Sequence, residues 1–179
     1  VFVSSTMTAV RNRLQYFDKN GSELFSFEPD TVTVNTFIMP LNQGVIYLHR
    51  GARMIKLDTT GNQLSTSSIQ YTPREGFYCP ESGKIAVIDE GDFVYLFNEN
   101  LEFQWRKSLP FRANTVTIDR ETGMIIAGMN NGQIKLFDFD GAIVADIRTS
   151  FNEMRSITAS RNNSEMLILG RNNVVAHYN

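Results

Sequence analysis

Two carboxylates and a glycine fall within four residues at Asp138-Phe139-Asp140-Gly141, and an Asp-x-Asp pair is how a calcium-binding loop begins. Such a loop must then supply ligands at alternate positions over twelve residues and close on a bidentate Glu, and neither follows here. The same position recurs as Asp18-Lys19-Asn20-Gly21 and Asp58-Thr59-Thr60-Gly61. An Asp that bonds its own backbone two residues on, followed by a Gly in the left-handed corner, predicts a hairpin turn instead. The densest acidic group is Asp89, Glu90 and Asp92; with no His or further ligand converging on it in sequence, a solvated turn is expected. His49 and His177 lie far apart, with no Ser, Cys or carboxylate pattern beside them. Zinc spacings, phosphate loops and nucleophile motifs are absent from the chain, and Cys79 reads as a small buried apolar residue. The expectation is a non-catalytic chain with no metal site and no cofactor.

Residues suited to recognition are better organised. Tyr71, Phe111 and Phe151 stand forty residues apart, and each is followed closely by an arginine, Arg74, Arg112 and Arg155. Aromatic rings beside guanidinium groups are the composition of interface hot spots. A side chain recurring once per repeat also suits packing between repeats, with the arginines along the rim. These six residues are the candidate partner-binding set, the expected partner being a protein or peptide on a loop face. Phe103 and Trp105, two positions apart in Leu101–Lys107, are expected to face one way along a strand. An exposed pair would suit peptide docking, and packing on a neighbouring sheet is the simpler account.

Composition narrows the field. The 179 residues carry 17 basic and 19 acidic side chains with no long run of either sign, so no overall field favours nucleic acid or an anionic membrane. Apolar runs fall short of the ~18 residues a membrane helix needs, so no membrane insertion is expected. A single cysteine forms no internal disulfide and points towards a reducing compartment such as the cytoplasm.

The elements that must position these residues repeat. Leu14–Asp18, Met54–Asp58, Val94–Asn98, the stretch ending at Asp138 and Val175–Asn179 all end on Asp or Asn, in steps of 40, 40, 40 and 41. Each alternates β-branched or aromatic residues with others, the period of a strand. Before each of the last four comes a second strand-like run: Val45–Leu48, Lys84–Ile88, Met124–Gly128 and Glu165–Leu169. Turns such as Glu90-Gly91-Asp92 and Asn130-Asn131-Gly132 join the two runs. A more polar strand follows the Asp or Asn, and a fourth, such as Thr115–Ile118 or Ser156–Ala159, leads into the next repeat.

Four short strands per forty residues, with no helical periodicity, predict an all-β fold, a β-propeller of four-stranded antiparallel blades. The blade units are expected at about residues 1–30, 31–70, 71–110, 111–150 and 151–179 of one domain. At its Phe-Asp pairs the chain resembles the NHL-repeat and WD-repeat propellers; residues 115–147 look much like an NHL repeat. The Trp-Asp dipeptide of WD repeats is represented by Phe17-Asp18, Leu57-Asp58, Phe97-Asn98, Phe137-Asp138 and Tyr178-Asn179, none with Trp. The resemblance carries fold and little function. The leading expectation is a non-catalytic interaction platform within a larger scaffolding, trafficking or regulatory protein. RNA binding, implied by likeness to some NHL propellers, and a ligand-sensing or enzymatic propeller with a central-channel site are the rival readings. RNA would require Arg74, Arg112, Arg155 and Arg171 to cluster on one basic face, and the balanced charge disfavours nucleic acid. The phase of the repeat gives about four and a half blades, which fits part of a longer propeller of about seven blades better than an irregular five-bladed ring.

Overall fold

The computed structural model of the chain describes residues 2–7, 12–18, 20–27, 37–41, 44–49, 51–159, 165–171 and 175–178. Strands β1 (Phe2–Met7), β2 (Asn12–Phe17) and β3 (Glu23–Phe27) form a three-stranded sheet. Three four-stranded sheets follow: β4 (Phe37–Leu41), β5 (Gly44–His49), β6 (Arg53–Leu57) and β7 (Gln63–Ser68); β8 (Pro73–Cys79), β9 (Lys84–Asp89), β10 (Phe93–Asn98) and β11 (Phe103–Ser108); β12 (Ala113–Ile118), β13 (Ile125–Met129), β14 (Gln133–Phe137) and β15 (Ile143–Arg148). A second three-stranded sheet holds β16 (Met154–Ala159), β17 (Met166–Gly170) and β18 (Val175–Tyr178). Every pairing is antiparallel between consecutive strands. The first strands of successive sheets, β4, β8, β12 and β16, lie side by side in chain order.

Among the described residues the core is not one mass but four layers, each between neighbouring sheets. Alternation divides each central strand between two of them. In β9, Ile85 and Val87 face the layer shared with the preceding sheet, while Ala86 and Ile88 face the layer shared with the next. In β10, Tyr95 and Phe97 go one way and Val94 and Leu96 the other. Burial on both faces is why these strands read as near-continuous apolar runs, whereas β7, β11 and β15, on the sheet edges, are polar and half-exposed.

Among the described residues the repeated Asp or Asn makes one turn four times; Asn179 lies outside them. The Oδ1 atoms of Asp18, Asp58, Asn98 and Asp138 each accept from the backbone N–H two residues and four residues on, at 2.8–3.0 Å. The N–H three residues on closes the turn onto their backbone carbonyls, and the residue there has positive φ: Gly21 83°, Gly61 88°, Gly141 82° and Leu101 65°. Leu101 accepts a backbone conformation that favours glycine because its side chain is buried in the layer beneath. Asp138-Phe139-Asp140-Gly141 is therefore a turn whose first carboxylate is already engaged by backbone donors.

Two bulges recur and correct the expected facing of side chains. Where the last two strands of each of the first four sheets meet, the register slips between Tyr16 and Phe17, Lys56 and Leu57, Leu96 and Phe97, and Leu136 and Phe137. One extra residue reverses the alternation. Phe103 and Trp105 consequently face opposite ways: Phe103 lies edge-on to Phe97 at 5.8 Å, and Trp105 packs on Phe137 of the next sheet at 5.8 Å and donates its indole N–H to Phe139 O at 2.8 Å. Trp105 is thus a sheet-to-sheet anchor.

Candidate partner-binding face

The second bulge lies in the first strand of three sheets, where the register skips Arg74, Asn114 and Arg155. The bulge turns the extra side chain along the neighbouring strand instead of into a layer. Arg74 Nη1 donates to Ala113 O in β12 at 3.1 Å, and Asn114 Nδ2 donates to Met154 O in β16 at 3.0 Å. The residue after each of the first two bulges bonds in the opposite sense. Glu75 Oε2 accepts from Val116 N–H at 3.1 Å, and Thr115 Oγ1 accepts from Ile157 N–H at 3.3 Å. The Thr115 hydroxyl also bonds the Glu75 carboxylate, so one chain of hydrogen bonds runs from β16 through β12 to β8. Burial pushes the Glu75 carboxyl up to about 7 against the lowering effect of its bonds to Thr115 and Val116.

This frame sorts the six candidate residues. Arg74 and Arg155 share the bulge position, whereas Arg112 stands just before β12 and does not belong to that series; sequence spacing aligned arginines that the bulge separates. Arg74 is half-buried and pairs with Asp92 at 3.7 Å. Burial, and then the charge of Arg112, pull its pKa down from the ordinary guanidinium value. Arg112 and Arg155 are exposed. Tyr71 and Phe111 are 43% and 46% exposed, but Phe151 is only 8% exposed and lies between sheets with Ile126, Ile134, Met154, Ile157 and Ile168. Phe151 is an inter-sheet wedge.

Tyr71 is exposed yet fixed. Its ring stacks on Phe93 at 6.1 Å and 7°, and Arg106 lies 5.0 Å over the Phe93 ring. Gln70 Nε2 donates to Tyr71 Oη at 3.3 Å, and Arg106 Nη1 donates to Gln70 Oε1. Within the acidic turn Glu90 is exposed, as expected of a solvated turn, but Asp89 is not. Asp89 is fully buried, because its carboxylate accepts from Gly91 N–H and Phe93 N–H at 3.0 Å and from Tyr95 Oη at 2.7 Å. Burial, followed by that bond to Asp89, pushes the Tyr95 phenol up to about 12. Asp92 turns the corner at φ 60° and answers Arg74. His177 pairs with Glu165 at 3.1 Å on the exposed side of β18, Cys79 is buried, and the His49 side chain lies outside the described residues.

Beside Arg112 a polar cleft of about 330 Å³ opens, lined by Arg112, Asn114, Asn130 and Glu153. Sequence reading missed Asn114, Asn130 and Glu153; the forty-residue offset of Asn114 from Arg74 was the available signal. The cleft wall is held by backbone bonds from Asn130 N–H to Arg112 O at 2.8 Å and from Arg171 N–H to Glu153 O at 2.9 Å. Arg171 Nη1 also neutralises Glu153 at 3.2 Å.

Solved structures share this arrangement. The chain superposes on BBS1N, solved in complex with ARL6DN and soaked with mercury, with a TM-score of 0.75 and 11% identity, covering 98% of this chain and 63% of that one. The fold is a β-propeller. BamB from Moraxella catarrhalis aligns with a TM-score of 0.72 and 14% identity over 96% of this chain and 55% of its own. The chain therefore spans less than two thirds of either propeller. No family model matches the sequence, and no curated relative matches it.

Proposed function

We propose that the chain is a non-catalytic protein-interaction propeller within a larger scaffolding, trafficking or regulatory protein, with residues 1–179 acting as one NHL-like or degenerate WD-like domain. The observation that carries this reading is the pair of large rings, Tyr71 and Phe111, standing more than 40% exposed at one recurrent position beside the exposed Arg112. Rigid exposed aromatics with an arginine supply contact area at little ordering cost. Arg74 and Phe151 brace the frame beneath, and Arg155 extends the contact surface. The capture of ARL6DN by BBS1N, a propeller of the same fold, is consistent with a protein partner.

RNA is the weaker reading. Of the four arginines it requires, Arg74 and Arg171 already have carboxylate partners in Asp92 and Glu153, leaving Arg112 and Arg155 to make a cationic face.

The test is the double variant Phe111→Ala, Arg112→Ala, used as bait for partner capture from a native lysate. Capture is expected to fall about tenfold or more, the loss typical of removing a hot spot, with an unchanged melting temperature. Undiminished capture by a folded variant sinks the placement.

A further inference from the structure

We infer that the cleft beside Arg112 is a carboxylate-binding subsite, which reads an Asp or Glu side chain of a peptide lying across the loop face; this deepens the interaction reading above and rests on it. The decisive feature is an uncompensated cation. Arg112 forms no ion pair among the described residues, and its charge is felt by Arg74, whose pKa it lowers. Arg74 has Asp92 as counter-ion, and Arg171 has Glu153. Arg112 alone on this wall of the cleft awaits an anion.

The surroundings are built for a small anion. Asn114 is held in place by its bond to Met154 O, and the Arg112 backbone by its bond from Asn130 N–H. A guanidinium on a fixed backbone presents a planar fork that matches a carboxylate in two parallel hydrogen bonds. The cleft volume of about 330 Å³ accommodates a carboxylate with the residue that carries it. Glu153 sets the charge limit. One negative charge is balanced by Arg112, whereas the second charge of a phosphate would face Glu153, whose own counter-ion is already engaged.

Phe111, adjacent in sequence and 46% exposed, gives the residues flanking the acid an apolar surface. The two neighbours divide the work. Phe111 contributes contact area with any side chain of fitting shape, and Arg112 contributes discrimination between an acid and its amide.

The experiment is a titration of the protein with short peptides centred on Asp or Glu, each matched to its Asn or Gln counterpart and to a phosphoserine counterpart. Wild type, Arg112→Gln, Arg112→Lys and Phe111→Ala are compared. Acidic peptides are expected to bind wild type about tenfold or more tightly than their amide counterparts, the effect of a charge-assisted bidentate pair. Arg112→Gln abolishes that ratio, Arg112→Lys restores it in part, and Phe111→Ala weakens acid and amide peptides alike. Equal binding of acid and amide, or a ratio that survives Arg112→Gln, overturns the carboxylate subsite; if Phe111→Ala still weakens both, the interaction face stands without it. Preference for phosphoserine also overturns the subsite, in favour of a phosphopeptide. Peptide binding indifferent to both Phe111 and Arg112 removes the interaction face itself, and no binding of any peptide overturns the subsite.

Discussion

Replacing Glu75 by Gln should make the protein more stable in alkaline solution and leave it nearly unchanged in acid. Glu75 sits in β8 at the end of the hydrogen-bond chain that links three sheets. Burial raises its carboxyl from 4.5 to about 7, so the folded state binds this proton more tightly than the unfolded state. Its contribution to stability is complete below about pH 4.5 and is lost as pH rises through about 7. A rise of that size corresponds to about 3 kcal/mol between the two protonation states. Gln keeps an oxygen for the Val116 N–H and carries no charge to desolvate. The assay is urea denaturation of wild type and Glu75→Gln at pH 5 and pH 8. The stability difference between the proteins should move by about 2.5 kcal/mol in favour of Gln on going from pH 5 to pH 8, the rest of the effect being already lost at pH 5. A difference independent of pH would refute the reasoning, because the two hydrogen bonds would then offset the burial of the ionised carboxylate.

Two further outcomes follow from the turns and the wedge. A Cβ at Gly170 would lie 2.2 Å from the Phe151 ring and one at Gly91 2.1 Å from the Tyr71 ring; Phe151 is trapped between sheets and Tyr71 has water beside it, so Gly170→Ala should cost about 1–3 kcal/mol in urea denaturation and Gly91→Ala clearly less. Equal costs would show that Phe151 is as free to move as Tyr71. Asp138→Ala removes the acceptor for Asp140 N–H and Ala142 N–H and should cost about 1 kcal/mol, while millimolar calcium leaves the Tm of wild type unchanged; a calcium-dependent rise in Tm lost in the variant would restore the cation reading of that loop.

Much of the fold was legible because each repeat carries the same physical signals. The Asp or Asn at 18, 58, 98 and 138 marks a turn that needs its side-chain oxygen, and central strands between two apolar layers must be apolar on both faces. The facing of Phe103 and Trp105 was not legible, since a single bulged residue reverses alternation without changing composition. The same cause hid the kinship of Arg74 with Asn114 rather than with Arg112. At the candidate site, Tyr71 and Phe111 could be picked out as recurrent aromatics, but Phe151 carries the same sequence signal and is buried. Both Tyr71 and Phe151 lie against a glycine, Gly91 and Gly170, and only Phe151 is enclosed by the apolar layer of Ile126, Ile134, Met154, Ile157 and Ile168. Asp89 read as one of three surface carboxylates, and only the fold shows Tyr95 and two backbone N–H groups closing over it.

The central claim is that the face bearing Phe111 captures a protein partner. It is tested most directly by placing a photo-crosslinking amino acid at position 111 in the full-length protein in cells, and in parallel at Phe103, which is 56% exposed on the sheet edge. Partner adducts are predicted at position 111 and not at 103; adducts at 103 with none at 111 would contradict the account.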